Sequence, residues 1–242
     1  MKKYTLFQRL HFLHRIWRYK NRTEPDTVRF IRDFVKKDGV VLDIGANKGI
    51  VSWFLCKAVG INGRVLSFEP QPELIPVLEG LKTTFGLEGL TIFNIGLAET
   101  LGTKTLFRAC SGSTGNMVAS AGGSDELLSV EVTTLDHFLN QIGLPDINFI
   151  KCDVDGFEDK VLIGSSETLK RCKPALLIEI SQCDLDRIRE YLALFGYSNC
   201  CFMFKNKIHP AKLSGELPFR HKNALYRNFL FFHDNDLRLR GF

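Results

Sequence analysis

With 242 residues the chain is the size of one large domain, close to the length at which single cores begin to split. A hydrophobic share of 45% and a charged share of 24% exclude a disordered or fibrous protein, and a formal charge of +5 permits an acidic partner without the concentrated basic charge of most nucleic-acid binders. Seven cysteines, none in a C-x-x-C pair, argue against zinc-ribbon and thioredoxin chemistry and point to a reducing cytosol.

The first segment, "MKKYTLFQRLHFLHRIWRYK", sets Leu6, Leu10, Leu13 and Trp17 at helical spacing among basic residues. Arg9, His11, His14 and Arg15 interrupt any continuous apolar run, which argues against a targeting segment or a spanning helix. An amphipathic basic helix is expected, packed on the domain or on a second copy in a homodimer, with peripheral membrane contact as the sharper alternative. A second helix follows in "EPDTVRFIRDFVKKDG", where Pro25 suits the start and Gly39 the stop. Residues 1–38 read as a helical extension and 39–242 as the main domain.

Short apolar runs then alternate with helical patterns. The runs are Val40–Ile44, Arg64–Glu69, Thr91–Ile95, Ile147–Asp153 and Ala175–Ile180; the helices lie near Ile50–Val59, Pro72–Phe85, Leu135–Ile142 and Phe157–Arg171. Runs apolar on both faces suit a covered parallel sheet, and their alternation with helices argues an α/β doubly wound fold. Between them, "KTLFRA" and "LLSVEVTT" read as short strands around "CSGSTGNMVASAGGSD", a Ser/Gly-rich stretch expected to be a mobile surface loop of the lid or binding type. After a helix at about Leu185–Phe195, "CCFMFKN" and "LYRNFLFFH" are two β-rich runs in succession. The expectation is a Rossmann-like, mostly parallel seven-stranded sheet with an antiparallel C-terminal hairpin and helices on both faces. That is the layout of class I methyltransferases.

The glycine turn Gly45-Ala46-Asn47-Lys48-Gly49 carries Asn47 where a dinucleotide fingerprint requires glycine, and it lacks the G-K-[ST] of a P-loop. Phosphate cradling is therefore poorly supported. Asp43, just ahead of the turn, repels a pyrophosphate and suits a cationic ligand such as S-adenosylmethionine. Glu69 ends the second strand about twenty residues after the turn, where an acid accepts hydrogen bonds from ribose hydroxyls. Pro70 could wall one side of an adenine, with Gly96 and Leu97 on the other.

Together "VVLDIGANKG", "GRVLSFEPQPE", "TTLDHFL" and "INFIKCDVDGFEDKVLIGSSETLKRCKPALLIEI" resemble the FkbM-type family of S-adenosylmethionine-dependent methyltransferases, from about Val40 to Ile180. The resemblance implies a Rossmann-like fold and methylation of a hydroxyl on a sugar or natural product. The chain departs from the family pattern at Asp155, where a glutamate is usual, and Pro76 implies a late or kinked helix after the second strand.

"KCDVDGFED" is the second constellation. Lys151, Asp153 and Asp155 alternate at period two near a strand end, and Glu158 falls in the first turn of the next helix. Asp153 is expected near the transferred methyl, as proton acceptor or relay; Lys151 among carboxylates should stay charged and act electrostatically. Asp155 and Glu158 border the same centre, although either could simply serve the helix start. The carboxylates could instead hold Mg²⁺, but no further ligand group is evident and metal is not the favoured reading. Glu179, ending the fifth strand, should border the acceptor, while His209, Arg220, His221 and Lys222 lie in the loop of the final hairpin.

The expected function is thus O-methylation of a sugar unit or small secondary metabolite in the cytoplasm. Two rivals are a non-catalytic S-adenosylmethionine sensor or scaffold, and an RNA methyltransferase. No interleaved aromatic and basic patch supports a nucleic-acid partner.

Overall fold

The computed structural model describes residues 3–108, 115–116, 126–180, 184–204, 207–210 and 228–236. In chain order the strands are β1 (Val40–Ile44), β2 (Arg64–Phe68), β3 (Leu90–Phe93), β4 (Gly96–Leu97), β5 (Gly102–Arg108), β6 (Gly115–Asn116), β7 (Glu126–Thr133), β8 (Ile147–Cys152), β9 (Ala175–Glu179), β10 (Asn199–Phe204), β11 (Lys207–Pro210) and β12 (Asn228–Phe232). The helices are α1 (Leu6–Arg18), α2 (Pro25–Phe34), α3 (Ile50–Val59), α4 (Ile75–Phe85), α5 (Leu135–Gln141), α6 (Glu158–Ile163), α7 (Ser166–Cys172) and α8 (Leu185–Ala193).

The main sheet runs β11-β10-β12-β9-β8-β1-β2-β3, with β3, β2, β1, β8 and β9 parallel. The two tail runs pair antiparallel as expected, and β12 slots between β9 and β10. Its Phe229, Leu230, Phe231 and Phe232 are all buried, which an apolar run can satisfy only with both faces covered. The sheet has eight strands rather than the expected seven. The additional strand, β11, falls where the sequence predicts the loop of the final hairpin; it pairs with β10 and covers an edge whose backbone groups would otherwise lack ladder partners.

A smaller sheet, β4-β7-β5-β6, holds the two short strands read from the sequence, β5 and β7, as an antiparallel pair. Apart from residues 115–116, the Ser/Gly-rich stretch between them lies outside the described residues, as do Arg220, His221 and Lys222.

Alternation along the strands feeds two cores. Leu42, Ile44, Leu66, Ile150, Leu176 and Ile178 face α5 to α8. Val41, Val65, Phe149, Leu177, Leu230 and Phe232 face α1 to α4. The long helix expected over Phe157–Arg171 is two helices, α6 and α7. At the break Gly164 approaches the backbone so closely that a Cβ would stand 2.1 Å from the Ala98 oxygen. Asp136 of α5 then caps the new start, accepting from the Glu167 and Thr168 N–H groups at 2.8 Å each; such a cap contributes about 1 kcal/mol. Pro76 sits in the first turn of α4 behind a 3-10 turn, so that helix starts late rather than kinking.

α1 forms where expected, but its buried contacts differ from the expected stripe. Phe12 and Ile16 enter the core, the Phe12 ring 5.4 Å from that of Phe85, and the Tyr4 hydroxyl donates to the Val77 carbonyl at 2.7 Å. Leu6, Leu10, Leu13 and Trp17 stay exposed, because Phe12 and Ile16 are themselves an i, i+4 pair on a neighbouring face. Among the described residues no helix is long and apolar enough to cross a membrane.

Candidate active site

The site lies beyond the C-terminal ends of β1, β2 and β8, the edge at which open α/β sheets gather ligands. Its first half is built by the turn after β1. Gly45, Asn47 and Gly49 all have positive φ (82°, 48° and 78°), and the Gly45 and Ala46 N–H groups donate to the Phe68 carbonyl at 3.1 and 3.0 Å. Gly45 has a second reason to be glycine: a Cβ there would meet the Asp153 oxygen at 1.9 Å. The turn thus presses against the end of β8 and brings the two sequence constellations together.

Glu69 is buried and lines the cleft. Its carboxylate accepts from the Asn47 N–H at 2.7 Å and the Gln71 N–H at 3.0 Å, which leaves lone pairs for further donors. Burial pushes its pKa above the usual carboxylate range, although both backbone donors pull it down. Pro70, Gly96 and Leu97 line the same cleft, with Phe68, Leu106 and Phe157 supplying further apolar wall. Gln71 and Arg108, which the sequence did not single out, brace it: Arg108 donates to Gln71 at 2.9 Å and pairs with Glu73 and Glu126, tying the small sheet to the turn after β2.

Asp43 lies at the end of β1, just ahead of the glycine turn. It is buried beneath the turn, accepting from Ser52 Oγ of α3 at 2.5 Å, and that hydroxyl also lies 3.1 Å from Ser67 Oγ of β2. Burial raises its pKa to about 6 against the opposing pull of Ser52. Its contacts join β1, α3 and β2 below the cleft, so it supports the turn from within the protein.

The second half gathers around β8. Lys151 is fully buried, with Nζ 3.4 Å from Asp153 Oδ2 and 3.4 Å from Asn228 Oδ1. Burial works against its charge, but Asp153, Glu179 and Glu24 outweigh that cost and raise its pKa. Asp153 lines the cleft and shares a hydrogen bond with Glu179, whose pKa is raised to about 7 by burial and then by the Asp153 charge. Glu24, ahead of α2, joins them and accepts from Asn228 Nδ2 at 2.8 Å. Neither Glu24 nor Asn228 was a sequence candidate; the one polar residue opening an otherwise apolar strand was the available signal for Asn228.

β8 ends at Cys152, so Asp155 reaches the cleft from a left-handed turn position rather than by strand alternation. Glu158 folds back on that turn, accepting from the Val154 and Gly156 N–H groups at 3.0 Å each, and is buried there. Gly49 starts α3, and a Cβ on it would meet Leu81 Cδ2 at 2.5 Å. Among the described residues, no three His, Cys, Asp or Glu groups converge as a metal site requires.

A second cavity opens beside the cleft and shares Gly45, Asn47, Asp153 and Asp155 with it. Its other walls include Tyr19, Lys48 and, from α1, Arg15 and Arg18. No carboxylate pairs with these three cations among the described residues.

The chain is similar in sequence and fold to known methyltransferases. The chain is 26% identical over 157 residues to the hexuronic acid methyltransferase AglP of Haloferax volcanii, a match covering 64% of the chain and 62% of that protein. A methyltransferase FkbM from Methylobacillus flagellatus KT superimposes with a TM-score of 0.55 at 17% identity, covering 82% of this chain and 44% of that one. An S-adenosylmethionine-dependent O-methyltransferase from Thermotoga maritima superimposes with a TM-score of 0.51 at 13% identity, over 90% of this chain and 71% of that one. The chain therefore spans less than two thirds of the length of the first two relatives. The methyltransferase FkbM domain profile matches residues 43–198, well over half of the chain, and the protein belongs to that family.

Proposed function

We propose that the protein is an S-adenosylmethionine-dependent O-methyltransferase whose acceptor is a hydroxyl of an acidic sugar unit. The observation that carries this reading is the pair of adjoining cavities with Asp153 at their divide. The residues of the first suit the methyl donor. Glu69 offers acceptor lone pairs to a ribose diol and opposes a phosphate, the walls are apolar enough for an adenine, and the exposed edge of Asp153 suits a cation. When bound, S-adenosylmethionine supplies a methyl group on a good leaving group.

The chain's own residues have two tasks. One is to hold the acceptor hydroxyl in line, which the second cavity serves. Its Arg15, Arg18 and Lys48 suit an acceptor carrying negative charge, in keeping with the hexuronic acid named for the archaeal relative. The other is to take the hydroxyl proton. The hydrogen-bonded pair Asp153 and Glu179 can accept it, a contribution of about 10²–10⁴-fold. Buried Lys151 balances the carboxylate charge of that pair before the proton is taken, and is too strongly held as a cation to be the base.

The test is calorimetry with S-adenosylhomocysteine followed by transfer of labelled methyl to a panel of uronic-acid glycosides. Binding by the folded protein, lost in Glu69→Ala, is expected. Asp153→Asn should hold that affinity within about threefold while turnover drops at least about 100-fold. Activity of the parent should rise with pH to a plateau above about 7, where Glu179 is ionised. Undiminished turnover in Asp153→Asn removes the proton-accepting role, and failure of the folded parent to bind S-adenosylhomocysteine removes the enzyme.

A further inference from the structure

α1 is anchored and yet leaves its most apolar face uncovered. Phe12 and Ile16 fix it in the core, while Leu6, Phe7 and Leu10 are 73, 78 and 57% exposed and Leu13 and Trp17 are 39 and 49% exposed. These five make up nearly half of the twelve large exposed hydrophobic residues among those described, on one helix of 13 residues. Leu6, Leu10, Leu13 and Trp17 follow one another at i, i+4, i+7 and i+11, a single stripe along the helix. Scattered exposed leucines need no explanation, but a continuous stripe marks a contact surface.

The charge around the stripe identifies what it contacts. The first 23 residues contain seven lysines and arginines (Lys2, Lys3, Arg9, Arg15, Arg18, Lys20 and Arg22) and no Asp or Glu. Among the described residues none of these cations is paired with a carboxylate. Two of them lie over rings instead, Arg22 5.2 Å from the Trp17 centroid and Arg9 5.9 Å from that of Phe85. A second copy of the chain fits poorly, since apposing the same stripe brings two acid-free basic segments together. An anionic lipid surface fits on both counts: it takes up the leucines and phenylalanine at the acyl boundary and attracts the flanking cations. Trp17 has the amphipathic ring that prefers that boundary. Thirteen residues are too short to span a bilayer, so the helix lies in the plane of the interface.

We infer that α1 is an interfacial membrane anchor, which docks the protein on bilayers containing anionic lipid through Leu6, Phe7, Leu10, Leu13 and Trp17. Arg15 and Arg18 lie off the stripe on the same helix and line the second cavity, so the docking face and the site share α1.

Vesicle cosedimentation tests this with the full chain and neither cofactor nor acceptor present. Phosphatidylcholine vesicles containing phosphatidylserine should pellet at least about fivefold more protein than phosphatidylcholine alone, and added salt should reduce the difference. Leu10→Asp with Trp17→Asp, both at exposed positions, should cut binding about tenfold with an unchanged thermal midpoint. Absence of binding to the serine-lipid vesicles overturns the anchor, as does undiminished binding by the double variant. Sedimentation equilibrium showing a dimer of the parent that Leu10→Asp converts to monomer overturns it in favour of a second copy.

Discussion

The two halves of the site are built in different ways. The glycine-turn half has its frame in one local stretch, Asp43 to Gln71, held by backbone: N–H groups of the turn bond to Phe68 and Glu69, and the glycines are fixed by close approach of Asp153 and Leu81. The β8 half is assembled by side chains far apart in sequence. Glu24 and Asn228, which bond at 2.8 Å, are 204 residues apart, and both meet Lys151. The first half depends on shape and the second on charge balance. Perturbing each should therefore fail in its own way.

The largest effect is expected at the shape-dependent half. Gly45→Ala places a methyl 1.9 Å from the Asp153 oxygen at a φ of 82°. Left-handed strain and displaced backbone together cost about 3 kcal/mol, so affinity for S-adenosylhomocysteine should fall roughly 100-fold by calorimetry. Wild-type affinity would break the contrast, because the turn would then tolerate what its packing forbids.

Next comes the cation of the charged half. Lys151→Met leaves Asp153, Glu179 and Glu24 grouped without their buried partner. Denaturant unfolding at pH 7 should show a loss of about 3 kcal/mol, and the loss should shrink at pH 5 as the raised carboxyls take up protons. A pH-independent loss would point to packing instead of charge.

The smallest effect sharpens the same point with the opposite sign. Glu179 titrates at about 7 in the folded protein against an ordinary value of 4.5. Between those values the folded chain keeps a proton that the unfolded chain has released. Its contribution to stability is therefore full below pH 4.5 and is lost as pH rises through about 7. Glu179→Gln should raise the thermal midpoint at pH 8 by about 2–4 °C and leave it nearly unchanged at pH 4.5. An equal shift at both values would assign the gain to something other than the ionised carboxyl.

The same contrast explains what the sequence disclosed. The parallel sheet was legible because β1, β2, β8 and β9 are apolar on both faces, and the turn because its glycines sit at a strand end. Position alone sets Asp43 at the strand end before the turn, whereas Ser52 and Ser67, ordinary residues in sequence, hold its carboxylate beneath that turn. Glu24 was invisible because nothing local separates a site carboxylate from a residue that precedes a helix. The break between α6 and α7 needed knowledge of the Ala98 carbonyl, which comes from another element entirely. Local backbone chemistry is written in short words, and long-range charge pairing is not.

The insertion of β12 between β9 and β10 has a consequence for biosynthesis. A nascent chain that has emerged only as far as β10 already contains β1, β2, β8 and the whole glycine turn, so the glycine-turn half can form while synthesis continues. Asn228 and the aromatic run after it arrive later and must enter between two strands already made. On the ribosome, closure of the glycine turn should therefore precede assembly of the charged half, which waits for β12 and its Asn228.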